Sequence, residues 1–111
     1  MITTHILDLS LGRPAAGVRV VLASVEDGHR RTVASGVTDA DGRLKDLVPT
    51  STKLQAEIYE LTFETGSYFM SHGVQPFHPH VTVMFEITDP DQHFHVPLLI
   101  SPYGYTTYRG T

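Results

Sequence analysis

Seven histidines stand in a chain of 111 residues, and four of them form two pairs, His78-Pro79-His80 and His93-Phe94-His95. Imidazole titrates near neutrality, so it is the side chain suited to taking and returning a proton in water. A second concentration of chemistry is the closing stretch Tyr108-Arg109-Gly110-Thr111, which combines a phenol, a guanidinium, a flexible glycine and a hydroxyl. His5 and Arg43 add another imidazole and another fixed cation, and a guanidinium can donate to an oxyanion or a planar carbonyl. Taken singly, each residue also has an ordinary reading. His5 is a structural histidine in mid-strand, His95 a solvated strand face, and Arg43 a surface charge after a turn. Tyr108 is a strand-favouring aromatic, and the tail is the polar tip of an edge strand. His93 and His95, two apart on one strand face, have zinc-ligand spacing only if His5 or another subunit adds a third ligand.

These groups must be held by strands. Thr3 to Leu9 predicts a first strand, with Thr3, His5 and Leu7 on one face and Thr4 and Ile6 on the other. Val18, Val20 and Leu22 mark the core side of a second strand, Asp27-Gly28 a hairpin turn, and Arg31 to Val37 the return. Thr38 to Arg43 is a polar turn. Its Asp-x-Asp-Gly run lacks the later ligands of an EF-hand calcium loop. Leu54 to Glu64 predicts a long strand with Tyr59, Leu61 and Phe63 on one face. Thr65 to Gly73 is the one helix candidate, with Thr65 as its cap and Gly73 as its stop. Val81, Val83, Phe85 and Ile87 alternate with polar positions in a half-buried strand. Phe94, Val96, Leu98 and Ile100 form a core face, which leaves His93, His95, Pro97 and Leu99 on the opposite face. In the last strand Thr106, Tyr108 and Gly110 share a face. Seven or eight short strands at this spacing predict an antiparallel β-sandwich.

Composition bounds the rest. A hydrophobic content of 41% supports one modest core, and association would bury more surface. No cysteine is present, so disulfides and thiolate metal sites are excluded. The formal net charge of −4, with scattered basic residues, argues against a nucleic-acid partner. No apolar run reaches membrane-spanning length, and Met1 to His5 does not open a signal peptide, so a cytoplasmic protein without a membrane partner is expected.

Thr4-His5-Ile6-Leu7-Asp8, Gly12-Arg13-Pro14-Ala15, Thr38-Asp39-Ala40-Asp41-Gly42-Arg43 and His93-Phe94-His95-Val96-Pro97-Leu98-Leu99 occur in that order, and Tyr108-Arg109-Gly110-Thr111 follows. Together they closely resemble the 5-hydroxyisourate hydrolases, the transthyretin-related enzymes of urate breakdown. The departure is Thr111, where the family usually has serine; the hydroxyl is kept. The resemblance implies a transthyretin-like antiparallel β-sandwich of two four-stranded sheets with one short helix at about residues 66–72, as a single domain over residues 1–111. It implies a homotetramer, a dimer of dimers, whose central channel is lined by the first strand and the last two. It further implies hydrolysis of 5-hydroxyisourate to 2-oxo-4-hydroxy-4-carboxy-5-ureidoimidazoline in purine degradation.

The implied catalytic residues are His5, Arg43, His95 and Thr111, and the implied substrate-binding residues are His5, Arg43, Tyr108, Arg109 and Gly110. Either His5 or His95 would be the general base, Arg43 the oxyanion donor, and Thr111 the group that holds or relays the water. Tyr108 would position the substrate, and Arg109 would brace the tail by ion pairing. No metal or cofactor is required by this set. The other readings are a transthyretin-like carrier of thyroid hormone or another hydrophobic ligand, without turnover, and a structural or metal-storage protein built on the histidine pairs.

Overall fold

A computed structural model describes all residues 1–111. The chain forms β1 (Ile2–Asp8), β2 (Arg13–Pro14), β3 (Arg19–Glu26), β4 (His29–Val37), β5 (Arg43–Leu44) and β6 (Ile58–Phe63). These are followed by the helix α1 (Thr65–Ser71), then β7 (Val81–Glu86), β8 (Phe94–Ser101) and β9 (Gly104–Thr107). One sheet has the order β2-β1-β8-β9, with β5 also paired to β1; the other has the order β4-β3-β6-β7. The expected two-sheet sandwich with one short helix is therefore present. The first sheet gains a fifth member because Arg13 and Pro14 pair with Asp8 and Leu7 instead of forming only a turn. No helix is long and apolar enough to cross a membrane.

Period-two patterning builds the core. Ile2 and Ile6 from β1, Val20 and Leu22 from β3, Leu61 and Phe63 from β6, and Leu98 and Ile100 from β8 interleave between the sheets with almost no exposure. The outward face of β1 keeps Thr3, His5 and Leu7 half-buried. One pairing departs from the antiparallel expectation: β1 and β8 run parallel, with Thr3 opposite His95 and His5 opposite Pro97. A parallel pair needs a long crossover, and here the crossover includes the entire second sheet and the helix. Beneath the sheet, the Thr4 hydroxyl donates to the Val96 carbonyl at 2.6 Å.

Local chemistry explains where the elements start and stop. Asp27 and Gly28 both have positive φ, the backbone a tight hairpin with right-handed twist requires. β6 begins at Ile58, not Leu54, because the Tyr59 hydroxyl folds back onto both the N–H and the carbonyl of Gln55 and closes a turn there. Thr65 does not cap the helix. It lies buried in the first turn, while the Gly66 N–H donates to the Pro79 carbonyl. A Cβ on Gly66 would lie 2.2 Å from that oxygen, so this close crossing requires glycine. The other end matches expectation: Gly73, at φ +73°, donates to the Met70 carbonyl and stops the helix.

Asp8 ties β1 to the helix. Its carboxylate is 1% exposed and accepts from the Tyr68 hydroxyl at 2.8 Å, from the Ser10 hydroxyl, and from the backbone N–H groups of Ser10 and Leu11. Burial pushes the carboxyl up, but these hydrogen bonds outweigh it and leave the pKa below its ordinary 3.8. Burial, the Asp8 hydrogen bond and the Asp8 charge push the Tyr68 phenol up to about 12. A carboxylate held below its unfolded value stabilises the fold at every pH above 3.8, and that contribution is lost as the pH falls through the folded-state value. Tyr68→Phe leaves a buried anion one donor short, so it is expected to cost about 1–3 kcal/mol in urea unfolding at neutral pH. The deficit should shrink as the pH falls through the lowered folded-state pKa of Asp8, where the carboxyl is protonated; a deficit independent of pH would contradict this account.

Candidate active site

The site lies on the outward face of the five-stranded sheet, where β5, β1 and β8 run side by side. The turn before β5 delivers Arg43. Asp39 accepts the N–H groups of Asp41 and Arg43, each at 2.9 Å, which closes an Asx-type turn. Gly42, at φ +72°, packs so closely on β1 that a Cβ would lie 2.4 Å from the Ile6 carbonyl. The Ile6 N–H in turn donates to the Gly42 carbonyl at 2.8 Å. This docking sets Arg43 opposite His5 in the β1–β5 register. His5 Nε2 lies 3.0 Å from the Asp41 carbonyl. A carbonyl only accepts, so Nε2 carries the proton and Nδ1 the lone pair.

His95 stands across from Thr3, with Nδ1 at 2.8 Å from the Thr3 hydroxyl. Burial lowers its pKa, and the Arg43 charge, His5 and His93 lower it further. A histidine below its usual 6.5 is neutral at neutral pH, the form that accepts a proton. Its other ring nitrogen, Nε2, makes no hydrogen bond within the protein.

The tail covers one edge of this ring. β9 ends at Thr107, whose hydroxyl donates to the Pro97 carbonyl at 2.8 Å. The chain then leaves the ladder for two residues and rejoins it at a single bridge, with the Gly110 N–H donating to the His95 carbonyl at 2.8 Å. A Cβ on Gly110 would lie 2.6 Å from His95 Cδ2 and 3.2 Å from Pro97 Cγ, so only glycine passes here without moving the imidazole. Thr111 then joins Thr3, Arg43, Lys45, His93 and His95 around a cavity of about 270 Å³ with no hydrophobic lining.

Of the residues singled out from sequence, Arg43, His95 and Thr111 thus share one cavity, and His5 stands beside it. Gly110 forms part of the support of His95. Tyr108 lies elsewhere: it is 57% exposed and lines a separate apolar cavity of about 250 Å³ with Val83, Phe85 and Phe94. The reason is the break in the ladder after Thr107, which ends the alternation that would have put Tyr108 and Gly110 on one face. Arg109 makes no ion pair. Its guanidinium lies 4.6 Å over the Phe94 ring and donates to Gln92 Oε1 at 3.1 Å and to the His93 carbonyl at 3.5 Å. Thr3 and Lys45 were missed as site residues. Thr3 shares a strand face with His5, a signal present in the sequence; a short strand is also legible around Leu44 to Leu47, but nothing in it marks Lys45 as facing the same cavity. No three His, Cys, Asp or Glu side chains converge as metal ligands, and the cations of Arg43 and Lys45 oppose a metal beside His93 and His95.

Fold and site define a small β-sandwich protein with a histidine- and arginine-lined polar cleft on the outer face of one sheet. A model of the HIUase/Transthyretin family matches residues 2–110, and the chain belongs to that family. It is 44% identical to the 5-hydroxyisourate hydrolase of Halalkalibacterium halodurans, over 99% of this chain and 97% of the relative. The 5-hydroxyisourate hydrolase of Klebsiella pneumoniae superposes with a TM-score of 0.86 at 42% identity, covering 99% of this chain and 98% of that one. Transthyretin from Sparus aurata superposes with a TM-score of 0.91 at 34% identity, covering 98% and 95%.

The Arg43 charge disfavours the His95 imidazolium, so Arg43→Gln is expected to raise the His95 pKa towards 6.5. A histidine titration followed by NMR in the two proteins checks this; an unchanged midpoint would remove Arg43 from the electrostatics of the site.

Proposed function

We propose that the protein hydrolyses 5-hydroxyisourate, with His95 as general base and Arg43 as oxyanion donor. The observation that carries this reading is the meeting of a neutral imidazole, a guanidinium and a hydroxyl at one polar cavity, in a chain 44% and 42% identical to the two hydrolases named above. The substrate is a planar, electron-poor urate derivative. His95 Nε2 takes a proton from water as the oxygen attacks an amide-type carbonyl, and Arg43 donates to the oxygen on which charge develops. The tetrahedral species then breaks its C–N bond and the ring nitrogen leaves with a proton. Thr111 holds the attacking water. His5, oriented by the Asp41 carbonyl, presents its Nδ1 lone pair to the same substrate. The expected product is 2-oxo-4-hydroxy-4-carboxy-5-ureidoimidazoline.

A carrier shares this fold, since the transthyretin likeness is as strong as the hydrolase likeness, so the fold does not choose between them. The lining does. A site for a hydrophobic hormone would be largely apolar, whereas this cavity has two cations, two imidazoles and hydroxyls. The deciding experiment is the ultraviolet decay of freshly made 5-hydroxyisourate with and without protein. Turnover supports the hydrolase, and binding without turnover supports the carrier. The acid limb of kcat is expected below pH 6.5, because the base must be neutral and its pKa is lowered. Gly110→Ala displaces the His95 ring, and a shift of a catalytic group by about 1 Å is expected to lower kcat on the order of 100-fold. Near wild-type turnover in a folded Gly110→Ala protein would sink the tail's role.

The working form is proposed to be a homotetramer, a dimer of dimers. Support comes from β7 and β9, each an unpaired edge strand of its sheet, with Met84 and Tyr105 exposed on them. Open edges of this kind invite pairing with another chain. Sedimentation at micromolar concentration should give four chains per particle, and a fully active monomer would overturn the assembly.

A further inference from the structure

Resting on that hydrolase reading, we infer that Thr3 is a positioning residue whose hydroxyl, set between His93 and His95, fixes the tautomer in which His95 acts as the base. Thr3 Oγ1 is 2.8 Å from His95 Nδ1 and 3.1 Å from His93 Nε2. A hydroxyl has one proton to donate. With both contacts made and the Thr3 proton used in one of them, one imidazole nitrogen donates to Oγ1 and the other accepts from it, so the two rings cannot choose their tautomers independently.

Two arrangements satisfy both contacts and use the Thr3 proton; if both rings donated to Oγ1, that proton would have no acceptor in the protein. In the first, Thr3 donates to His93 Nε2 while His95 Nδ1–H donates to Thr3, which leaves a lone pair on His95 Nε2. In the second, His93 Nε2–H donates to Thr3 and Thr3 donates to His95 Nδ1, which puts a proton on His95 Nε2. Only the first gives His95 a base at the nitrogen that has no protein partner. The charges around the cavity favour it, since a lone pair is better placed than an N–H opposite Arg43 and Lys45. The first arrangement also survives the proton transfer. When Nε2 takes the water's proton, Nδ1–H goes on donating to Thr3 and no hydrogen bond has to be remade. The β1–β8 register accounts for the contact, because it places Thr3 and His95 side by side on the outward face. His93 is exposed, so the chain His95–Thr3–His93 runs from the half-buried ring to solvent.

The test uses the full chain, with Thr3→Val, Thr3→Ser and His93→Gln. Valine keeps the β-branched shape and removes the hydroxyl; serine keeps the hydroxyl. Nitrogen-15 NMR of the imidazoles reads the tautomer directly and does not depend on activity. Wild type and Thr3→Ser are expected to hold His95 as the Nδ1–H form, and Thr3→Val to lose that preference. His5, His93, Arg43 and Lys45 are the titratable and charged groups around His95, and all stay in place in the Thr3 variants. In the decay assay Thr3→Val should lower kcat about 10- to 100-fold with KM little changed, a share of the about 100- to 10,000-fold that a positioned base supplies. Thr3→Ser should restore it, and His93→Gln should weaken the tautomer preference less than Thr3→Val does.

An identical His95 tautomer in wild type and Thr3→Val overturns the inference, whatever the turnover. His95→Ala separates this from the parent reading. If His95→Ala keeps full turnover, the base assignment fails. If His95→Ala is inactive while Thr3→Val keeps both kcat and tautomer, Thr3 is only a strand residue.

Discussion

The parallel pairing of β1 with β8 is the constraint on which the site depends. It fixes which outward side chains are neighbours: Thr3 beside His95 and His5 beside Pro97. A slip of one residue would send His95 into the core and Val96 out of it, because strand side chains alternate with a period of two. The register is therefore enforced from below, by Ile2, Ile6, Val96 and Leu98 in the core and by the Thr4 hydroxyl on the Val96 carbonyl. The polar face carries His5, His95 and Arg43, and the apolar face sets their alignment.

Two glycines finish the geometry by what they lack. Gly42 lets the turn lie against the Ile6 carbonyl, and Gly110 lets the tail cross the edge of the His95 ring. Neither offers a functional group, yet each sets the distance at which one does. Arg43 arrives through the first and Thr111 through the second. The anchoring of Arg109 on Phe94, Gln92 and His93 holds the tail down between its last ladder contact and the bridge at Gly110.

Much of this was legible in the sequence. The alternation of Phe94, Val96, Leu98 and Ile100 revealed which face of β8 carries His95, and that of β1 put His5 on the matching face. Asp27-Gly28 and Gly73 were readable because their positive φ angles demand those residues. Tertiary contacts hid the rest. Thr65 has the chemistry of a cap, but packing buries it and the backbone of Pro79 takes over. The start of β6 depends on where the Tyr59 ring folds back. Tyr108 continues an apparent alternation, but the ladder breaks one residue before it. The contact between Thr3 and His95 depends on a parallel register, and periodicity within one strand has no information about its neighbour's direction.

The distance along the chain between Thr3 and His95 has a kinetic meaning. These partners are separated by 92 residues, and the two sides of the cavity meet only when an early strand finds a late one. Closing so long a loop carries a large entropic cost before any contact offsets it, and folds dominated by such pairings form slowly. During synthesis, β1 can meet β2 and β5 early, but its other edge must wait unpaired until β8 has emerged from the ribosome. The cleft is among the last features of the molecule to form, and a folding intermediate built on the hairpin of β3 and β4 with β6 would have none of it.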